Sequence, residues 1–443
     1  MAATRHNAPP TPDLEQDNRE RMPLPRTSRW FDEYIDNLRR ISPESWWFLL
    51  GTMLVSLSWL TFMLLFNLYM KERGYPEGVM GQVLSAQSFG TMAMAIPAAY
   101  LISRLSARAA LAWSSVGVAI GFTWVTLVDA KGLIIAAAFM AGMMLAFSRV
   151  YSSPFLMKYT TSAERAIVFS LSFAASLGSG LIAHLGAGSL HKLFTDLSGS
   201  SVEAYRWVLW CGAGCGLLGA LAFTRLPSGI LAHRRPREEW RRAMRAKGGL
   251  FFRLVFPSFL VGLGAGLIIP FLNIYFRDRF GLPTQTIGVY YAMVQASMIV
   301  GVLLGPELAR RYGMVRTIVW SEIASLPFMA VLAFTQNLTA ATVAFLARGA
   351  LMNLGVPISN NYLMERVGPE DRATANSLSL LSWTSSWAIT AATGGWMIEK
   401  WGYAPPLLAG CGFYVVSSLS YYLFFRNEDI HAGRMSPGLV DPE

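Results

Sequence analysis

The sequence predicts an all-α polytopic membrane protein with twelve transmembrane helices arranged as two pseudo-symmetric six-helix bundles. Three observations carry that expectation. The 443 residues are 53% hydrophobic and only 14% charged, against about 25% charged in an average soluble domain. Twelve apolar runs can be marked off, each of about 20 residues, the length that crosses a bilayer core about 30 Å thick. Sliding the chain on itself by 207 residues lays the first six runs over the last six.

Composition excludes several other classes. With 26 Phe, 16 Tyr and 14 Trp the chain has too much apolar surface to stay disordered. A net charge of +10 could suit nucleic acid. The basic residues, however, stand in segments between apolar runs and form no finger, platform or continuous basic face, so no nucleic-acid partner is expected. Cys211, Cys215 and Cys411 all fall inside apolar runs, as small packing residues, and neither a disulfide framework nor a metal site follows from them. No cofactor is expected either. Residues 1–27 are polar and Pro-rich without the apolar stretch of a signal peptide, so the first span should act as its own membrane signal.

Taken in order, residues 1–44 read as a cytoplasmic tail. Within it, 28–41 puts Trp30, Phe31, Tyr34, Ile35 and Leu38 on one side and Asp32, Asp36, Arg39 and Arg40 largely on the other, the pattern of a helix lying on the membrane surface. Ser42-Pro43-Glu44 supplies an N-cap, a first-turn proline and an acid at the positive helix end. The first bundle, 45–225, holds spans at 45–69, 80–102, 109–128, 132–154, 166–190 and 204–224. Residues 226–251 contain the longest charged stretch, His233 to Arg242, and read as a cytoplasmic linker; anionic-lipid binding is its second reading. The second bundle, 252–425, holds spans at 252–275, 286–308, 316–335, 339–362, 374–397 and 405–425, before a tail at 426–443. Helix-stopping residues fill the gaps: Gly74-Tyr75-Pro76, Asp129-Ala130-Lys131-Gly132, Gly281-Leu282-Pro283, Gly368-Pro369-Glu370, and Gly402 before Pro405-Pro406.

Of the 37 Lys and Arg, 27 fall on the side that holds both termini and 8 on the other, with Arg149 and Arg348 inside spans. Basic loops stay in the cytoplasm, so both termini should be cytoplasmic in a cell (inner or plasma) membrane. The duplication is explicit. At an offset of 207, ten of the 35 positions from 154 to 188 match, and Gly74, Pro76, Gly81 and Arg104 fall on Gly281, Pro283, Gly288 and Arg311; an offset of 206 pairs Asn67 and Tyr69 with Asn273 and Tyr275. Equal parity means that both copies insert in the same sense.

With these features the chain resembles the major facilitator superfamily of secondary transporters over about residues 45–425. The loop Ala99 to Arg108 loosely follows the family pattern G-x-L-a-D-R-x-G-R-R, with Arg104 and Arg108 kept and Ser103 at the usual Asp. Its second copy, Pro306 to Arg316, keeps Arg311 and Gly313 and has Arg310 at the acidic position. The resemblance implies a gating loop here, without the acid that latches it in the family. It also implies a substrate cavity between the halves, lined by spans 1, 4, 7 and 10 with help from 2, 5, 8 and 11. On those spans stand Asn67, Tyr69, Gln82, Gln87, Asn273, Tyr275, Gln295, Asn353, Asn360 and Asn361. Met140, Met143, Met144 and Phe147 make one stripe and Trp383 with Trp387 another. Plain packing explains such stripes, and a thioether and indole wall would also suit amphipathic solutes.

Polar groups inside a membrane are costly, so the few present are candidates for coupling. Arg348 resembles the Arg of the family's fourth-helix motif, in the second copy, where the first has Ala141. Glu322 lies at a depth that could approach Arg348, giving either a structural ion pair or a proton or substrate role. His184 could titrate near neutral pH. Arg149, about one turn from the expected end of span 4, reads as an interfacial anchor that snorkels, or as a coupling residue. Gly262 with Gly266 and Gly301 with Gly305 have the spacing of close helix packing. Pro97, Pro154, Pro270 and Pro357 could bend their helices.

The expectation is therefore a monomeric secondary transporter that moves a small amphipathic or drug-like solute by alternating access, with export favoured. Protons are a candidate coupling ion, since no G-x-x-x-x-G-K-[ST] loop offers ATP instead. A sugar, metabolite or lipid-like substrate is the first alternative, and a transport-dead sensor or scaffold the second. A membrane-embedded enzyme lacks a convergent nucleophile, base or metal set, and neither H-E-x-x-H nor G-x-S-x-G occurs.

Overall fold

The computed structural model describes residues 41–102, 104–230, 236–368 and 371–426. Ser42 opens α1 (Pro43–Glu72), its side chain accepting the Ser45 N–H at 3.4 Å. The first half continues with α2 (Glu77–Leu101), α3 (Ala107–Leu127), α4 (Lys131–Tyr159), α5 (Ser162–Ser198) and α6 (Ser201–Phe223). The charged linker is itself helical from Pro236 and runs into the second half as α7 (Pro236–Ile268), with a kink at Lys247, where φ is −132°. A single 3₁₀ turn, Ile269–Phe271, interrupts the seventh span at Pro270, whose ring has no N–H for the helical ladder. The span resumes as α8 (Leu272–Phe280) and is followed by α9 (Thr284–Tyr312), α10 (Met314–Phe334), α11 (Leu338–Arg366), α12 (Arg372–Trp401) and α13 (Ala404–Phe425). The expected surface helix at 28–41, apart from Ile41, lies outside the described residues, as does the tail from 427 on.

Among the described residues ten helices are long and apolar enough to cross a membrane. The other two expected spans, α2 and α12, have 25 and 30 residues but a more polar make-up. Their position explains it. They pack along each other between the halves and bury polar groups on both sides: Ser85 of α2 accepts the Ala392 N–H of α12, while Thr91 bonds to the Gly142 carbonyl of α4 and Ser386 to the Phe259 carbonyl of α7. Helices also outrun the apolar cores that announced them. α5 begins at a Thr161–Glu164 capping box and ends at Gly199, whose φ of +69° is the left-handed region glycine adopts freely. α4 continues through Pro154 to Tyr159. Arg149 therefore sits about 15 Å from the end of its helix, further in than the one turn expected from the shorter span.

Each half follows the same circuit of neighbours. In the first the order is α2, α4, α3, α6, α1, α5; in the second it is α9, α11, α10, α13, α7, α12. The halves meet along α2 with α12 and along α5 with α9. Their apolar interior is not uniform. Away from the termini one core runs through both halves, joining Leu64, Phe66 and Met80 to Leu272, Phe276 and Ile398. Toward the termini it divides into two separate cores, one of Phe48, Leu111, Tyr151 and Phe155 and one of Leu254, Met314, Ile358 and Tyr421.

Candidate transport cleft and its seal

The shared core is closed by bonds that cross from one half to the other. Asn67 Nδ2 donates to the Pro270 carbonyl at 2.5 Å, and Asn273 Nδ2 donates to the Leu64 carbonyl at 2.7 Å. Each asparagine reaches the residue three positions before its counterpart, so the duplication has become a reciprocal clasp. Tyr69 and Tyr275 brace it from behind, their hydroxyls donating to the Thr126 carbonyl at 3.0 Å and the Leu332 carbonyl at 2.8 Å. Charges rim the same end. Lys71 pairs with Glu77 and reaches Asp278 at 3.0 Å, Arg277 pairs with Glu72, and Tyr403 donates to Asp278 at 2.7 Å. Half-exposed pairs of this kind contribute about 0–1 kcal/mol each, so buried amides and close packing hold the seal more than the rim does.

That packing uses glycine at duplicated places. A Cβ on Gly81 of α2 would lie 2.4 Å from the Ala391 carbonyl of α12, and one on Gly288 of α9 would lie 2.5 Å from the His184 carbonyl of α5. Ala391 and His184 are themselves 207 residues apart, so both seams repeat one contact.

The separation of these two cores marks the end at which the apolar interiors of the halves are not joined, the candidate cleft. On the first half Thr52, Val55, Ser56 and Trp59 of α1 face Leu145, Ser148 and Arg149 of α4 around a pocket of about 150 Å³, based on Phe223. Arg149 is exposed there, and among the described residues no hydrogen bond or ion pair engages its guanidinium. The helices bordering the halves, α1, α2, α4, α5, α7 to α9, α11 and α12, carry carboxylates only toward their ends. Among the described residues the one mid-helix carboxylate, Glu322, belongs to α10 and is buried, with Ser418 donating to it at 2.7 Å.

The sequence candidates thus separate into groups. Asn67, Tyr69, Asn273 and Tyr275, expected on the cavity wall, are buried in the seal. Gln295 packs onto Gly180 across the α5–α9 seam. His184 is buried at that seam with its ring edge-on to Tyr291, centroids 5.4 Å apart. Gln87 and Met143 lie at the α2–α4 contact, where the backbones of Gln87 and Met143 would meet a Cβ added at Gly142 and Gly90. Phe147 is buried, its ring 6.2 Å from that of Tyr151. Asn353 spends its amide on the Gly349 carbonyl of its own helix. Trp383 and Trp387 lie 6.2 Å apart beside α7, facing Gly262 and Gly266.

Arg348 and Glu322 form no direct pair: Arg348 Nη2 donates to the Tyr414 hydroxyl at 2.8 Å, and both groups instead meet α13. In the two expected loop motifs Arg104, just past the end of α2, donates to Tyr100 near that helix end, and Arg310 and Arg311 both fold onto Glu307. Arg108 is exposed, and Gly313 has φ +92°. Sequence reasoning did not mark the pocket residues Thr52, Ser56, Trp59 and Ser148, which stand out from their neighbours by no local pattern.

Comparison with known proteins agrees with this architecture. No curated protein matches the sequence. Among solved structures, a bacterial homologue of the human lysosomal transporter Spinster, captured inward-facing and occupied, superposes with a TM-score of 0.72 at 15% identity, covering 87% of this chain and 98% of that one. A point mutant of the nucleoside transporter NupG gives 0.71 at 16% identity, with 86% and 99% covered. A D-xylose–proton symporter gives 0.69 at 13%, with 88% and 98% covered. At such identities the likeness is one of fold. The sequence itself matches the family model of the Major Facilitator Superfamily over residues 48–391, and with the duplicated six-helix circuit this places the chain in that superfamily as a multi-pass membrane protein with a transporter fold.

Proposed function

We propose that this protein is a secondary transporter that carries a small amphipathic solute through the cleft by alternating access, loading it from the cytoplasm for export. The observation that carries the reading is the divided core, continuous across the halves at one end and split in two at the other. Such a body can exchange which end is closed by rocking one half against the other. The excess of Lys and Arg on the terminus side supports a cytoplasmic open end. The inward-facing Spinster homologue, a neighbour of similar fold, is consistent with that assignment. Trp59, Val55 and Leu145 beside Thr52, Ser56 and Ser148 give the cleft apolar and hydroxyl surfaces together, which favours solutes with both kinds of face.

Counterflow in proteoliposomes tests the proposal directly. Vesicles preloaded with an unlabelled solute should take up its labelled form faster than protein-free vesicles for at least one member of a panel of amphipathic acids, amides and sugars. Saturable binding across that panel with no exchange would identify a sensor and overturn the carrier reading.

A further inference from the structure

We propose that Arg149 is an anion-recognition group and that the transported solute is an organic anion. Its carboxylate pairs with the Arg149 guanidinium while its apolar body lies against Trp59, Val55 and Leu145. The inference rests on the transport reading above and narrows it to one charge class.

Four observations converge on it. First, the guanidinium is open to the pocket and unengaged among the described residues, whereas other arginines at depth or at the seal are committed: Arg348 to Tyr414, Arg277 to Glu72 and Tyr205, and Arg279 to the Ala333 carbonyl. Second, Arg149 stands ten residues, about 15 Å, inside the end of α4, so it lines the pocket along the helix wall and not at a helix terminus. Third, the cleft helices bring no mid-span carboxylate toward it, so a cationic solute would find only repulsion, while an anion would find an uncontested partner. Fourth, the flanking groups suit a carboxylate. A guanidinium presents a planar fork that takes two oxygens at once, and Thr52, Ser56 and Ser148 offer hydroxyl donors in the same pocket. At about 150 Å³ the pocket holds about one aromatic ring next to the charge.

The test uses the full-length protein in nanodiscs and matched acid and amide probes: benzoate with benzamide, and 2-naphthoate with 2-naphthamide. Equilibrium binding should favour at least one acid over its amide by tenfold or more. Arg149→Gln should abolish that preference, and Arg149→Lys, which keeps the charge and loses the fork, should retain part of it. Equal binding of acid and amide by the unaltered protein would overturn the proposal without recourse to a variant. So would an acid preference that survives in a monodisperse Arg149→Gln protein. If amides or sugars exchange in counterflow while no acid binds, the charge class is wrong and the carrier stands; if nothing exchanges, the carrier reading falls first.

Discussion

Asn67 and Asn273 place amides where two apolar faces would otherwise meet, and each finds its acceptor on the opposite half. Asn273 is the more heavily used, since its Oδ1 also accepts the Ile274 N–H at 2.8 Å just after the break at Pro270. A buried hydrogen bond contributes about 1 kcal/mol net, and leaving a buried partner unmade costs about 1–3 kcal/mol. Asn273→Leu should therefore weaken the sealed state by about 1–2 kcal/mol, a shift of about 5- to 30-fold toward opening at that end. In a protein otherwise free of cysteine, a Cys at Val83, buried behind the seal, should then react correspondingly faster with an impermeant maleimide added from the non-cytoplasmic side. An unchanged rate would remove the clasp from the gate. Arg348 gives a second prediction. It is buried and bonded to Tyr414, so Arg348→Leu and Tyr414→Phe should each lower stability by about 1–3 kcal/mol and together by less than their sum, read from thermal melts in detergent. Strict additivity would mean that the two side chains do not act as a pair. The asparagines are legible as a repeat in the sequence, yet their role is not: an asparagine on a cleft helix looks the same whether it stands at the open end or the closed one. The depth of Arg149 is hidden for a related reason, because the apolar run stops at Pro154 while the helix does not.

At the scale of elements, the two seams repeat one contact through glycines that the duplication already aligned. α2 meets α12 at Gly81, and α9 meets α5 at Gly288, each against a backbone carbonyl that cannot be pushed aside as a side chain could. Gly81→Val and Gly288→Val should thus disfavour the sealed arrangement without disturbing packing within either half. The expected outcome is loss of most counterflow, with normal expression and faster labelling at Val83→Cys. Full transport in either variant would show that the seams part further during the cycle than the close approach suggests. The element scale is the most legible from sequence, because apolar run length and punctuating Gly, Pro and Asp report directly on helix number and turns. Its departures are polar: α2 and α12 fall short of ordinary membrane hydropathy and bury their Ser, Thr and Gln against neighbouring helices, Ser85 across the seam and Thr91 and Ser386 within their own halves. The 3₁₀ break at Pro270 is foreshadowed only as a bend, since a proline near a span end does not by itself say whether the chain kinks or changes helix type.

For the whole molecule, the proposed carrier would take the halves' shared circuit and divided core as its moving parts, and the charge of the cleft would decide what drives them. An anion carried alone moves charge across the bilayer. Crossing out of a compartment held about 100 mV negative, it gains about 2.3 kcal/mol per charge, equivalent to a gradient of about 50-fold. Electroneutral export by proton symport would need a proton to travel with it, most directly on a protein carboxylate within reach of the solute. The cleft helices bring none there, and Glu322 is buried on α10 against Ser417 and Ser418 of α13. Transport of an acid that binds at Arg149 should accordingly respond to voltage. In proteoliposomes given a potassium diffusion potential of about 100 mV, interior negative, the acid should leave faster, and its steady-state ratio should shift outward by up to about 50-fold per charge. A ratio indifferent to voltage but set by a pH difference would show that a proton accompanies the anion, and the search for its carrier would turn to the solute's own carboxylate or to Glu322.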